Sequence, residues 1–197
     1  NHSSGKMGYE IARVAMLRGA DVTLVSGQTT LTPVPFVNFV SIRSAQDMFE
    51  AVRDRLDSAD WVIKAAAVAD YTPETTADSK IKKSDDDMSI PLKRTTDILK
   101  YIGANKREGQ RICGFSMETD NVIENSRKKL TSKNADMICA NSLRQEGAGF
   151  GTERIYRRLR QEADTEELEL MSKLDAAHVI LTRLREMDED KLADDNS

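Results

Sequence analysis

Long apolar runs are missing from this 197-residue chain, and none approaches the ~18–20 residues that a membrane-spanning helix requires. Two cysteines and two histidines are too few for a disulfide framework or a zinc module. No excess of positive charge exists either: 29 basic residues face 33 acidic ones, for a net charge of −4, which argues against a dedicated nucleic-acid binder. Aromatic residues make up only 5%, with a single tryptophan. No basic segment leads into an apolar stretch, so no signal peptide is read and a cytoplasmic location is expected. The chain also begins at Asn1 without a methionine, in what reads as the middle of a motif, so it is expected to be a fragment of a longer protein.

What is present suits one globular domain. Hydrophobic residues reach 39%, enough for one lean core at this length. The acidity is unevenly placed. Glu186 to Ser197 holds six acids and one lysine, a net of −5, which leaves the remaining body at +1. We therefore divide the chain into a domain over 1–185 and an acidic, disordered tail over 186–197.

Helical and strand periods alternate along the domain. Ile11, Ala12, Val14, Ala15 and Leu17 recur at helical spacing, and Arg18-Gly19 is a stop signal. Val22 to Val25 reads as a short strand, Ala45 to Leu56 as an amphipathic helix, and Trp61 to Val68 as a buried strand entering a small-residue loop. Helices over Thr96 to Lys106 and Asn121 to Lys133 alternate with strands over Arg111 to Phe115 and Asp136 to Ala140. Arg154 to Arg160 predicts an amphipathic strand with a partner around Leu168 and Leu170, and Leu174 to Met187 a last helix. Continuously apolar strands between helices predict a doubly wound, Rossmann-like, mostly parallel α/β sheet. Residues 72–95 break the pattern and read as an extended hairpin or flap.

Several residues are candidates for chemistry. The opening Asn1-His2-Ser3-Ser4-Gly5-Lys6-Met7-Gly8 precedes a helix, whose free N–H groups suit a phosphate, although a plain strand-to-helix turn explains the glycines equally well. Ala65, Ala66 and Ala67 leave room for a ligand at a strand's carboxyl end. Asp70 can accept from sugar hydroxyls, hold a metal through water, or cap a turn. Lys80 and Lys82 share a face of the extended segment, and Lys129 and Lys133 share a helix face. Each pair is either a solvated edge or a phosphate contact. Cys113 and Cys139 sit at strand positions and read as buried, inert thiols.

Taken in order, Asn1 to Gly8, Val22-Thr23-Leu24-Val25-Ser26-Gly27, Ala66-Ala67-Val68-Ala69-Asp70-Tyr71, Lys80-Ile81-Lys82-Lys83, Gly114-Phe115-Ser116-Met117-Glu118-Thr119 and Ile138-Cys139-Ala140-Asn141 resemble the phosphopantothenate–cysteine ligase domain of coenzyme A biosynthesis. The resemblance covers roughly Asn1 to Asn141. It implies a nucleotide-dependent ligase that joins 4′-phosphopantothenate to cysteine through an acyl-nucleotide, with CTP as the nucleoside triphosphate and magnesium as the metal; it assigns no metal ligands. It further implies a homodimer whose flaps help build the partner's site, and fusion to a phosphopantothenoylcysteine decarboxylase domain in the full chain.

By the same resemblance, Asn1 handles the acyl-nucleotide and Lys80 is the flap lysine of the first step. Ser4 and Gly5 lie along the phosphate loop. Ala65, Ala66, Ala67 and Asp70 line the nucleotide, with Asp70 at the ribose. Thr96, Asp97, Ile98 and Leu99 supply the next loop, while Phe115, Lys129 and Lys133 frame base and phosphates. The sequence departs from the family at Thr95-Thr96-Asp97, where Asn-Pro-Asp or Thr-Pro-Asp is usual, and at Ser142, where an aspartate is common. The family also has a strand before the Asn1 position.

Two rival readings are weighed against this one. A short-chain-type NAD(P) oxidoreductase would share Gly5, Gly8 and the Gly19-Ala20-Asp21-Val22 unit, but Val25-Ser26-Gly27 offers no acid for the ribose. No tyrosine is followed four residues later by lysine. A non-catalytic nucleotide-binding or dimerisation module is the other rival.

Overall fold

A computed structural model describes residues 4–75, 79–80, 88–118, 121–142, 153–159, 162–169 and 171–195. The chain opens with helix α1 (Lys6–Leu17), strand β1 (Thr23–Ser26), strand β2 (Asn38–Ser41), helix α2 (Ala45–Leu56) and strand β3 (Trp61–Lys64). Two short strands follow, β4 (Tyr71–Pro73) and β5 (Leu92–Arg94), then helix α3 (Ile98–Ala104) and strand β6 (Arg111–Glu118). Helix α4 (Val122–Ser132), strands β7 (Met137–Ser142), β8 (Glu153–Leu159) and β9 (Glu162–Glu167), and helix α5 (Lys173–Asp195) complete the order.

Strands β3, β6 and β7 run parallel, and β8 and β9 extend that sheet antiparallel. Strands β1 and β2 form a separate parallel pair. Among the described residues, β1 and β3 are not paired to each other, yet both pieces pack into one core: Val25 and Val40 lie against the cluster that also takes Val62 and Ile112. Helices α2, α3 and α4 cover that face through Met48, Leu56, Ile98, Ile102 and Leu130. The opposite face is covered by α1 and α5 through Ile11, Val14, Ile180, Leu181 and Leu184. Each fully buried aliphatic side chain contributes about 1.5–3 kcal/mol through burial. Helices on both faces of a mostly parallel sheet make the doubly wound architecture that the alternation predicts.

Local signals act where the sequence places them. Gly19, at φ 87°, closes α1: its N–H bonds Met16 O, and Ala20 N–H bonds Ala15 O, the paired bonds of a left-handed helix stop. Ser44 and Asp47 exchange side-chain and backbone bonds at the start of α2. Three elements differ from expectation. Strand β2 carries no strong signal in its Asn-Phe-Val-Ser sequence and exists by pairing with β1. The partner of β8 is Glu162–Glu167, a polar edge strand, while Leu168 lies just beyond it and is buried in the core.

Over 186–195 the expected disordered tail is instead the end of α5, which runs through to Asp195. Its continuation is anchored. Met187 is buried, and Asp188 accepts from Trp61 Nε1 at 2.9 Å and Arg111 Nε at 2.6 Å. The flap is present as a hairpin base, with Tyr71 opposite Arg94 and Pro73 opposite Leu92; most of its tip lies outside the described residues. Cys113 and Cys139 are buried free thiols, as read from the sequence.

Candidate functional site

Side-chain alternation sends Val62 and Lys64 of β3, and Ile112, Gly114 and Ser116 of β6, toward α2–α4. The apolar members sit deep, and the polar members come at the carboxyl ends of the strands. There Lys129 of α4 donates to Ser116 Oγ at 2.8 Å. Lys133, at the end of the same helix, forms a short ion pair with Asp97. Asp97 is also the N-cap of α3, accepting from Lys100 N–H at 3.0 Å. Burial pushes the Asp97 carboxyl up, but the bonds from Lys133 and Lys100 and the charges of Lys133 and Lys64 outweigh it and hold it below its ordinary value.

Lys64 is half-buried and donates to Ala66 O at 2.9 Å. Burial pushes its ammonium below the ordinary lysine value; Asp97 and Asp70 oppose that, while Lys129 and Lys133 add to it. The structure thus gathers three ammonium groups and two carboxylates at one end of the sheet. The backbone holds them in place. Gly103 of α3 lies so close to α4 that a Cβ there would sit 1.8 Å from Lys133 O, and Asn134 Nδ2 donates to Gly103 O. Gly114 likewise leaves space for Leu99, whose Cδ2 would be 2.7 Å from an added Cβ.

The loops converge on the same end. Thr95 bonds Asp70 O through its N–H and Ala69 O through its hydroxyl, so the segment after β3 is stitched to the one entering α3. Asp70 itself is exposed. On the other flank, a Cβ on Gly8 would be in ordinary contact with Ala65 Cβ, 3.9 Å away, which puts the start of α1 beside the end of β3. Gly5 is the N-cap of α1 at φ 74°, and a Cβ there would meet Thr29 at 3.0 Å. Both its conformation and its surroundings require glycine. Ser4 is exposed next to it.

Of the residues singled out in the sequence, Ala65, Ala66, Asp70, Asp97, Lys129 and Lys133 lie at this end of the sheet, and Ala67 and Thr96 are exposed in the same loops. Three candidates behave differently. Ile98 and Leu99 bury their side chains in the core, so they offer the site backbone only. Phe115 packs its ring into the core shared with α1 and α5, on the face opposite the lysines. Lys80 is exposed on the connection between β4 and β5. Asn1 lies outside the described residues. Sequence reading passed over Lys64 and Ser116. The available signal was a charge ending an otherwise apolar strand, Trp-Val-Ile-Lys, and a polar residue in register with it one pleat beyond Gly114.

The fold is a doubly wound α/β domain with lysines at the carboxyl ends of its parallel strands, the end at which open α/β sheets generally take ligands. The profile of the DNA/pantothenate metabolism flavoprotein C-terminal domain matches residues 1–187, and the chain belongs to that family. It is 46% identical over 186 residues to the coenzyme A biosynthesis bifunctional protein CoaBC of Bacillus subtilis, an alignment covering 93% of this chain and 46% of that protein. The chain thus spans about half the length of this curated relative. The crystal structure of a CoaBC C-terminal domain superposes with a TM-score of 0.81 at 43% identity, covering 96% of this chain and 86% of that one. A Cab2 mutant in complex with phosphopantothenate-cysteine shares the fold at a TM-score of 0.77 and 14% identity, covering 100% of this chain and 82% of that one.

Proposed function

We propose that this chain is the ligase part of a coenzyme A biosynthesis enzyme, joining 4′-phosphopantothenate to cysteine with CTP. The observation that carries the reading is the convergence of Lys129, Lys133 and Asp97 at the strand ends of a domain of this family. In the first step a carboxylate oxygen of phosphopantothenate attacks the α-phosphorus of CTP, and pyrophosphate leaves. In the second, the cysteine amine attacks the acyl carbon, CMP leaves, and 4′-phosphopantothenoylcysteine forms.

The difficulty of the first step is electrostatic: a carboxylate must approach a triphosphate of like charge. Fixed cations lower that barrier without reorganising. Lys129 and Lys133 supply them from α4, and Lys80 from the flap. Ser4, Gly5 and the first N–H groups of α1 take a phosphate. Ala65, Ala66 and Ala67 admit the nucleotide, with Asp70 at the ribose hydroxyls; Thr96, Asp97, Ile98 and Leu99 close the next loop through backbone groups. Asn1 holds the acyl-nucleotide for the amine. Phe115 contributes through its strand rather than its ring.

Magnesium commonly binds through one or two carboxylates and substrate phosphates. Among the described residues no group of three His, Cys, Asp or Glu side chains suits a metal, so the donor set fits an ion carried by the triphosphate rather than a protein cage. Such an ion supplies charge neutralisation on the phosphate chain. The reading also includes a cytoplasmic location, a decarboxylase domain elsewhere in the full protein, and a homodimer formed through the flaps. No helix among the described residues is long and apolar enough to cross a membrane.

The test is product analysis by mass spectrometry. Full-length protein given phosphopantothenate, CTP, magnesium and cysteine is expected to yield phosphopantothenoylcysteine and CMP. Turnover that requires a nicotinamide cofactor, or CTP binding with no product, would favour the rival readings.

A further inference from the structure

Lys64 is the described cation of the site that the family resemblance leaves without a role. It ends β3 directly opposite Gly114, on the sheet face that also carries Ser116, Lys129, Lys133 and Asp97. Its surroundings are unusual for a lysine. The ammonium is half-buried, and the hydrogen bond it makes is to the neutral carbonyl of Ala66. The nearer acids are committed elsewhere. Asp97 caps α3 and pairs with Lys133, while Asp70 is exposed on the outer loop. Among the described residues, Lys64 thus has no carboxylate in hydrogen-bond contact, and a half-buried ammonium held only by a neutral carbonyl carries an electrostatic cost that an anion would relieve.

We propose that Lys64 is a third cation of the phosphate cradle: on ligand binding its ammonium leaves Ala66 O and donates to the polyphosphate chain of the nucleotide, facing Lys129 and Lys133 across it. The multiplicity of cations favours a chain of several phosphates over the single phosphate of phosphopantothenate. The depressed proton affinity of Lys64 agrees with the geometry, since a polyanion would restore it. The groups that bear on that affinity are Asp97 and Asp70, which raise it, and Lys129 and Lys133, which lower it. The inference rests on the ligase reading for the identity of the nucleotide, but the cradle can be tested without turnover.

The experiment is isothermal calorimetry on the full chain with inorganic tripolyphosphate, and separately with phosphopantothenate. Wild type is expected to bind tripolyphosphate, with net proton uptake at pH 9. Lys64→Met is expected to weaken that binding at least tenfold, to abolish the Lys64 share of proton uptake, and to leave phosphopantothenate binding within twofold. Lys64→Arg, which keeps the charge, should recover most of the affinity. Lys128→Met, which removes an exposed partner of Glu124, should match wild type. A merely structural lysine would lower the melting temperature without this split; here the melting temperature of Lys64→Met is expected to hold or rise. Should Lys64→Met fail to fold, Lys64→Gln replaces it with the same expectations.

Tripolyphosphate affinity within twofold of wild type in the Met or Gln variant overturns the inference. So does a loss confined to phosphopantothenate, or a wild type that binds no tripolyphosphate. If Lys64-dependent tripolyphosphate binding is found but no pyrophosphate is released from CTP, the inference stands and the ligase reading falls. If turnover proceeds and Lys64→Met leaves the KM for CTP unchanged, the ligase reading stands and the inference falls.

Discussion

Asp97 does three things with one carboxylate. It caps α3, pairs with Lys133 and places a negative charge near Lys64. Asp97→Ala removes the cap as well as the pair, and a lost cap typically costs about 1 kcal/mol. Asp97→Asn keeps a good cap and removes only the charge. Because the folded carboxyl titrates below its unfolded value of 3.8, the unfolded state binds the extra proton in the window between them. The charge-dependent stabilisation is therefore full above that unfolded value and fades as pH falls through the lower folded one. Urea unfolding should show a stability gap between wild type and Asp97→Asn at pH 7 that closes at lower pH; a gap independent of pH would contradict this assignment. Lys64 has the opposite sign. Its folded value is depressed below 10.5, so its burial penalty is present at neutral pH and disappears only as pH rises through 10.5. For Lys129→Met and Lys133→Met, each removing a charge-assisted contact worth about 1.5–3 kcal/mol, CTP affinity measured by calorimetry should fall roughly ten- to a hundredfold. An unchanged affinity would remove α4 from the phosphate site. Their spacing made a helix face legible and the family resemblance implied a phosphate role, whereas their contacts were not legible. What decides those contacts is the reach of Ser116 and Asp97 from other elements, which a linear sequence does not display.

At the level of elements, the site depends on how closely α3 and α4 approach. Gly103 sets that distance, with Lys133 O where a Cβ would be. Gly103→Ala must move backbone rather than a flexible side chain, so we expect a loss of about 1–3 kcal/mol, together with weaker CTP binding as Lys133 is displaced. A variant as stable as wild type would show that the junction yields freely. The elements themselves were unevenly legible. Helix α2 stands at the residues its apolar spacing predicts, because a capping box starts it and its own stripe defines it. Strand β2 was not legible, since four residues with mixed polarity become a strand only when β1 lies beside them. Strand β9 is similar: Glu-Ala-Asp-Thr-Glu-Glu has little strand propensity, and pairing with β8 overrides it. The acidic end of α5 read as tail because its charge is visible in sequence. The docking of Met187, and of Asp188 against Trp61 and Arg111, is not.

For the whole molecule, one surface calls for completion. Tyr71, Ile90 and Leu92 are 50%, 57% and 59% exposed on and beside the hairpin, with Met88 close by in sequence. Such an apolar patch suits a second copy of the chain. Sedimentation should report a dimer at micromolar concentration and a shift toward monomer for Leu92→Asp; a wild-type monomer would remove the flap interface. Among the described residues, β1 and β3 each pair with a strand on one side only. The central claim concerns the reaction itself, and isotope transfer tests it most directly. Phosphopantothenate labelled with oxygen-18 in its carboxylate is turned over with CTP and cysteine, and the CMP is weighed. If the carboxylate attacks the α-phosphorus, CMP carries one labelled oxygen. Unlabelled CMP, or label appearing in inorganic phosphate alongside CDP, would contradict the acyl-cytidylate and with it the reaction proposed for this fold.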